Sequence, residues 1–259
     1  MSRHLTSSSP FPAPSRVHRL GAAAVHAYTA IGGILAFFAL AEIAAGRFDS
    51  AMLLLAIAFV IDGTDGFMAR RLRVKEVLPG MDGAALDLAV DFITYAVAPL
   101  LLLWRAGLLP DPAWFWAMLA MASALYDFGN SHPLKDRGLY SGLPAIWNLY
   151  AFHVYYGRPG EDLQMVAILA LVMLTFAPVH FVCLSRLRYF RTASLAAAAA
   201  YLAVVLAVII GLVPSPRAWA VAALACPAWY FGLSLSVHLR HRRGLPVGLA
   251  PAPAEGVLQ

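Results

Sequence analysis

Runs of about twenty apolar residues recur along nearly the whole chain, and few features restrict a fold more. A bilayer core of roughly 30 Å needs about that many residues in a helix to cross it. Eight candidate spans are read, at 21–46, 50–71, 82–105, 112–129, 142–156, 163–185, 194–213 and 217–239, of which the fifth is the shortest. Pro178 in the sixth and Pro227 in the eighth predict kinks, which membrane helices tolerate. Composition agrees: 61% of the 259 residues are hydrophobic, and 13% are charged against about 25% in soluble domains. The mean hydropathy is +0.72. The expectation is an all-α, polytopic integral membrane protein of about eight transmembrane helices. Residues 1–20 would form a cytoplasmic N-terminal segment, 21–240 the membrane domain and 241–259 a cytoplasmic disordered tail.

Charge placement orients these spans. With the N-terminus inside, Arg3, Arg16, Arg19, Arg70, Arg71, Arg73, Lys75, Lys135, Arg137, Arg186, Arg188, Arg191, Arg240, Arg242 and Arg243 fall on the cytoplasmic side. Only Arg47, Arg105, Arg158 and Arg217 fall outside. Cytoplasmic loops carry the excess of Lys and Arg, so both ends are expected inside. That bias accounts for the net charge of +5 without a nucleic-acid partner. The polar start is not a cleavable signal, since apolar sequence begins only near Gly21. Phe11 to Leu20 is either a short amphipathic surface helix or a basic linker. Cys183 and Cys226 lie in apolar stretches without CxxC spacing, which predicts small buried hydrophobes rather than a disulfide or thiolate site. His26, His153 and His180 are expected to pack rather than to bind metal.

Against this background, Asp62, Asp65, Asp87 and Asp91 stand out. A charged residue at membrane depth costs about 3 kcal/mol or more unless something neutralises it. Asp62 and Asp65 are three apart and Asp87 and Asp91 four apart, so each pair shares a helix face. Two facing helices would bring four hard oxygen donors together, a donor set suited to Mg²⁺ or Mn²⁺.

The stretch DGTDGFMARRLRVKEVLPGMDGAALDLAVD reads Asp-x-x-Asp-Gly-x-x-Ala-Arg, twelve residues, then Gly-x-x-x-Asp-x-x-x-Asp. It resembles the signature of the CDP-alcohol phosphotransferases, membrane enzymes that displace CMP from a CDP-linked lipid or alcohol with another alcohol. All eight positions are filled, by Asp62, Asp65, Gly66, Ala69, Arg70, Gly83, Asp87 and Asp91. The gap between Arg70 and Gly83 is longer than the family's commonest form. With VHAYTAIGG in the first span and GLPAIWN at 142–148, it looks like the bacterial branch whose acceptor is choline.

The resemblance implies CDP-diacylglycerol plus choline giving phosphatidylcholine plus CMP, at a cytoplasm-facing site in the bacterial cytoplasmic membrane. It implies two Mn²⁺ or Mg²⁺ ions per active site, with Asp62, Asp65 and Asp87 as ligands, and Asp91 both at the metal site and as general base. Asp62, Gly66, Ala69, Arg70 and Gly83 would hold the CDP-diacylglycerol, the small residues letting the nucleotide approach the backbone. Arg70 is a fixed cation suited to phosphate oxygens. Acyl chains would face membrane lipids, and the family implies a homodimer. Choline's quaternary ammonium donates no hydrogen bond, so aromatic faces and a carboxylate are expected around it; Trp147, Tyr150, Asn148, Tyr126 and Asp127 are the candidates. Arg71, Arg73 and Lys75 either anchor the cytoplasmic end or touch phosphate, and Arg186, Arg188 and Arg191 stand open in the same way. Another acceptor such as serine remains as an alternative, as does a choline or cation transporter, although no paired half-repeats are visible.

Overall fold

The structure, a computed structural model, describes residues 15–130, 138–183 and 191–245. Ser15 opens the first helix: its Oγ accepts from the His18 N–H at 3.3 Å, satisfying one of the amides that a helix start leaves unpaired. Helix α1 (Arg16–Ala44) thus begins at Arg16, and residues 16–20 form its first turns rather than a separate surface segment. The remainder of the expected N-terminal segment lies outside the described residues. Helix α2 (Phe48–Arg71) runs back along α1, and a one-turn α3 (Val74–Val77) follows.

Asp82 caps the next helix by accepting from the Ala84 and Ala85 N–H groups at 3.0 and 3.1 Å. Helix α4 (Gly83–Phe92) continues through a π-helical turn (Ile93–Val97) into α5 (Ala98–Arg105). Pro99 explains the wide turn. It lacks an N–H and its ring would crowd the carbonyl four residues back, so the helix widens just ahead of it. Gly32 and Gly33 of α1 face Val90 of α4; a Cβ added at either would lie 3.3 or 3.2 Å from a Val90 methyl. Small residues here let the helices approach closely.

Next come α6 (Ala113–Gly129), strand β1 (Leu139–Ser141), α7 (Trp147–Gly157), α8 (Glu161–Phe176), strand β2 (His180–Val182), α9 (Arg191–Ile209), α10 (Pro216–Ala223) and α11 (Ala225–Arg242). Five segments are long and apolar enough to cross a membrane: Arg16–Ala44, Phe48–Arg71, Gly83–Arg105, Thr192–Ile209 and Pro216–Arg242. The protein is a polytopic helical membrane protein. Each of the eight expected stretches does contain helix, but the fifth and sixth hold clearly shorter helices than read. Helix α7 has 11 residues, about 16 Å at the rise of an α-helix. Gly142 at φ +89° and Pro144 keep the chain out of helix until Trp147. Helix α8 stops at Phe176, two residues before Pro178, where a kink was expected. The chain then enters β2, which pairs antiparallel with β1 through Leu139–Val182, Tyr140–Phe181 and Ser141–His180. Cys183 therefore follows a strand rather than lying in a helix. Both cysteines are free.

The main core lies among α5, α6, α7 and α8, with Leu102, Leu103, Trp147 and Ile168 buried. Outward-facing Phe37, Phe38, Trp114, Met118, Val166 and Met173 are exposed, an apolar belt that lipid would cover.

Candidate metal and substrate site

The carboxylates on α2 and α4 meet. Asp62, Asp87 and Asp91 each offer an oxygen within 4.8 Å of the others, a group that can hold a metal ion. Local structure produces this. The Asp82 cap sets the start of α4, the spacing of four puts Asp87 and Asp91 one turn apart, and α2 presents Asp62 opposite them. Three hard carboxylates suit a divalent cation such as Mg²⁺ or Mn²⁺. Asp91 Oδ1 is buried without a hydrogen-bond partner, so it is available to a cation.

Tyr95 donates its hydroxyl to Asp62 Oδ2 at 2.5 Å and so fixes the orientation of that carboxylate. It lies one turn after Asp91, on the same side of the helix. Asp65 stands apart from the group of three. It is buried, and its Oδ2 accepts from Thr29 Oγ1 of α1 at 2.6 Å. A carboxylate oxygen can still accept a second contact, so Asp65 is positioned by α1 beside the cluster rather than inside it.

The cluster opens into a cavity of about 510 Å³. Its α2 and α4 side carries Asp62, Asp65, Gly66, Arg70, Asp87 and Asp91; the facing side carries Asp127, Phe128, Asn130, Tyr140, Ala145 and Cys183. An adjoining cavity of about 550 Å³ shares Asp65, Gly66, Arg70 and Asp87, and adds His26, Ala69, Lys75 and Gly83. All eight signature positions therefore line one or both spaces. Gly83 has a tighter neighbour than expected. A Cβ there would lie 2.6 Å from His26 Cε1, so the missing side chain makes room for the imidazole of α1. His26 is buried, and its Nε2 has no partner.

Among the choline candidates, Asp127 alone lines the cavity of the cluster. It is buried, and its Oδ2 accepts from the Ala145 N–H at 2.8 Å. Trp147 and Tyr150 point into the core, packed edge to face at 5.6 Å. The Asn148 side chain accepts from the Leu149 N–H at 2.9 Å and borders a small apolar cavity on the far side of α7. Tyr126 faces outward, with Phe176 at 4.6 Å. Trp147 and Tyr150, three apart, share one face of α7, while Asn148 projects from another.

Sequence reasoning missed Tyr95, Thr29, Phe128 and Tyr140. Tyr95 was legible from its spacing to Asp91. Tyr140 was not, because β1 turns it inward. Burial first, and the Cys183 thiol next, push the Tyr140 phenol above its ordinary range, so it stays neutral.

Fold and site together define a multi-pass helical membrane protein with the CDP-alcohol phosphotransferase signature on its two carboxylate-bearing helices. No family model matches the chain. It is 35% identical over 159 residues to a phosphatidylcholine synthase of Rhizobium johnstonii, covering 61% of this chain and 65% of that protein. Against the phosphatidylcholine synthase of Agrobacterium fabrum, identity is 35% over 159 residues, 61% of this chain and 66% of the relative. The phosphatidylcholine synthase of Pseudomonas aeruginosa is 33% identical over 181 residues, 70% of this chain and 76% of its own length. The chain belongs to the phosphatidylcholine synthase family.

Proposed function

We propose that this protein transfers the phosphatidyl group of CDP-diacylglycerol to choline, giving phosphatidylcholine and CMP. The observation that carries the proposal is the meeting of Asp62, Asp87 and Asp91 across two helices, on the signature positions. Displacement at a pyrophosphate needs charge neutralisation, alignment and a base near the attacking hydroxyl.

Asp62, Asp87 and Asp91, with Asp65 beside them, would hold one or two Mg²⁺ or Mn²⁺ ions. Such ions neutralise pyrophosphate oxygens and the departing phosphate. Arg70, which lines both cavities, binds a phosphate oxygen as a fixed cation. Gly66, Ala69 and Gly83 leave room for the CDP part. Asp91 takes the proton of the acceptor hydroxyl as its oxygen attacks the phosphorus bearing diacylglycerol; the bond to CMP breaks as the new ester bond forms. The site faces the cytoplasm with both termini inside, as the loop charges favour, in the bacterial cytoplasmic membrane. The working unit is a homodimer, as the family resemblance implies.

The test uses purified full-length protein in detergent with CDP-diacylglycerol, Mn²⁺ and either choline or serine, following CMP release. Release with choline, stopped by a chelator, is expected. Release with serine alone would overturn the acceptor, and no release with any alcohol would overturn the reaction.

A further inference from the structure

The cavity beside the aspartates has two chemically different sides. One carries the signature carboxylates and Arg70. The other is assembled from parts far apart in sequence: the last turn of α6 gives Asp127 and Phe128, β1 gives Tyr140, the segment before α7 gives Pro144 and Ala145, and the residue after β2 is Cys183. Its side chains are held in place. Asp127 is only 8% exposed, and its carboxylate is pinned by the Ala145 N–H at 2.8 Å. Phe128 is braced edge to face by Phe92, with centroids 5.5 Å apart. Tyr140 is fixed by its pairing with Phe181 across the strands. Behind it, Gly142 donates to Val179 O at 2.9 Å and Leu143 donates to Leu174 O at 3.0 Å.

We propose that this facing wall, Asp127 with Phe128 and Tyr140, binds the cationic head of the acceptor and restricts acceptors to alcohols bearing an ammonium group and no anionic group. The proposal rests on the transfer reaction above. A donor held on the Arg70 side leaves the opposite wall for the acceptor, which must approach phosphorus from the side away from the leaving CMP. A wall that carries a carboxylate and two aromatic rings suits a quaternary ammonium, since rings and carboxylate attract it without needing a donated hydrogen bond. The same wall disfavours competitors. Among the described residues lining this cavity, Arg70 is the one cation. The carboxylate of serine, or the phosphate of a phosphorylated alcohol, would meet Asp127 with like charge.

The experiment compares choline with 3,3-dimethylbutan-1-ol, its uncharged isostere, in the full-length enzyme with CDP-diacylglycerol and Mn²⁺. Asp127→Asn keeps the shape and the acceptor for Ala145 while removing the charge. It should raise KM for choline and lower the preference for choline over the isostere, each by about tenfold or more, with KM for CDP-diacylglycerol little changed. Tyr140→Leu should raise KM for choline more than Tyr140→Phe, which keeps the ring; this pair decides the matter if Asp127→Asn does not fold. Turnover of choline by the wild type with an unchanged choline KM in both Asp127→Asn and Tyr140→Leu would overturn the wall alone. Absence of turnover with any alcohol in the wild type would overturn the reaction, and the wall with it.

Discussion

Gly142→Ala tests whether the strand pair and the turn after it are built as described. Gly142 has φ +89°, and a Cβ there would lie 2.2 Å from the carbonyl oxygen of Thr175, an atom of backbone that cannot swing aside. The left-handed conformation alone costs an alanine about 1–2 kcal/mol. Relieving the clash separates the turn from the end of α8 and strains the bonds from Gly142 N–H to Val179 O and from Leu143 N–H to Leu174 O. Each is worth about 0.5–1.5 kcal/mol. Gly211→Ala is the matched control, with φ +72° and nothing within 4 Å of the added Cβ. The difference between the two variants isolates the close approach, about 1–3 kcal/mol before any clash that persists. Apparent midpoints would be measured by heating detergent-solubilised protein and following monodisperse material, at one heating rate because unfolding of such proteins is often irreversible. Gly142→Ala should fall below Gly211→Ala by about 5 °C or more. It should also lose activity, because Tyr140 and Ala145 flank the turn. Equal midpoints for the two variants would refute the packing of the turn against α8.

Three further outcomes are expected. Asp91→Asn should abolish CMP release while leaving CDP-diacylglycerol binding largely intact, as measured by retention of a labelled donor; loss of donor binding would make Asp91 chiefly a metal ligand. Gly83→Ala should destabilise by about 1–3 kcal/mol through contact with His26, and adding His26→Ala should restore the midpoint. No restoration would mean that the glycine serves another neighbour, such as the nucleotide. Tyr95→Phe removes the hydroxyl that orients Asp62, and should raise the Mn²⁺ concentration for half-maximal activity by about tenfold or more; an unchanged metal titration would assign Tyr95 a packing role.

Much of the donor side of the site was legible because it is local. Asp62 with Asp65, and Asp87 with Asp91, are set by spacing along single helices, and hydropathy placed those helices at membrane depth. The same argument extended to Tyr95, one turn beyond Asp91. Of the choline candidates, Asp127 lines the cavity, whereas α7 turns Trp147 and Tyr150 together into the core and Asn148 towards a separate apolar cavity. The lengths of the fifth and sixth expected spans were over-read because apolar composition does not register where a helix starts or stops. Gly142 delays the start of α7, and α8 ends just before Pro178, within runs whose mean hydropathy hardly notices either residue.

That the chain is helical and membrane-embedded, with four carboxylates on two of its helices, was readable along the chain, since the period of a helix and the cost of buried charge operate over a few residues. Packing in three dimensions was needed to bring Asp62, Asp87 and Asp91 together with Asp65 held beside them by Thr29, and to place Asp127 and Tyr140 on the same cavity. Those contacts depend on how α1 packs across α2 and on the pairing of β1 with β2. Both join residues more than thirty positions apart, where no repeat along the chain records which side chains will face each other.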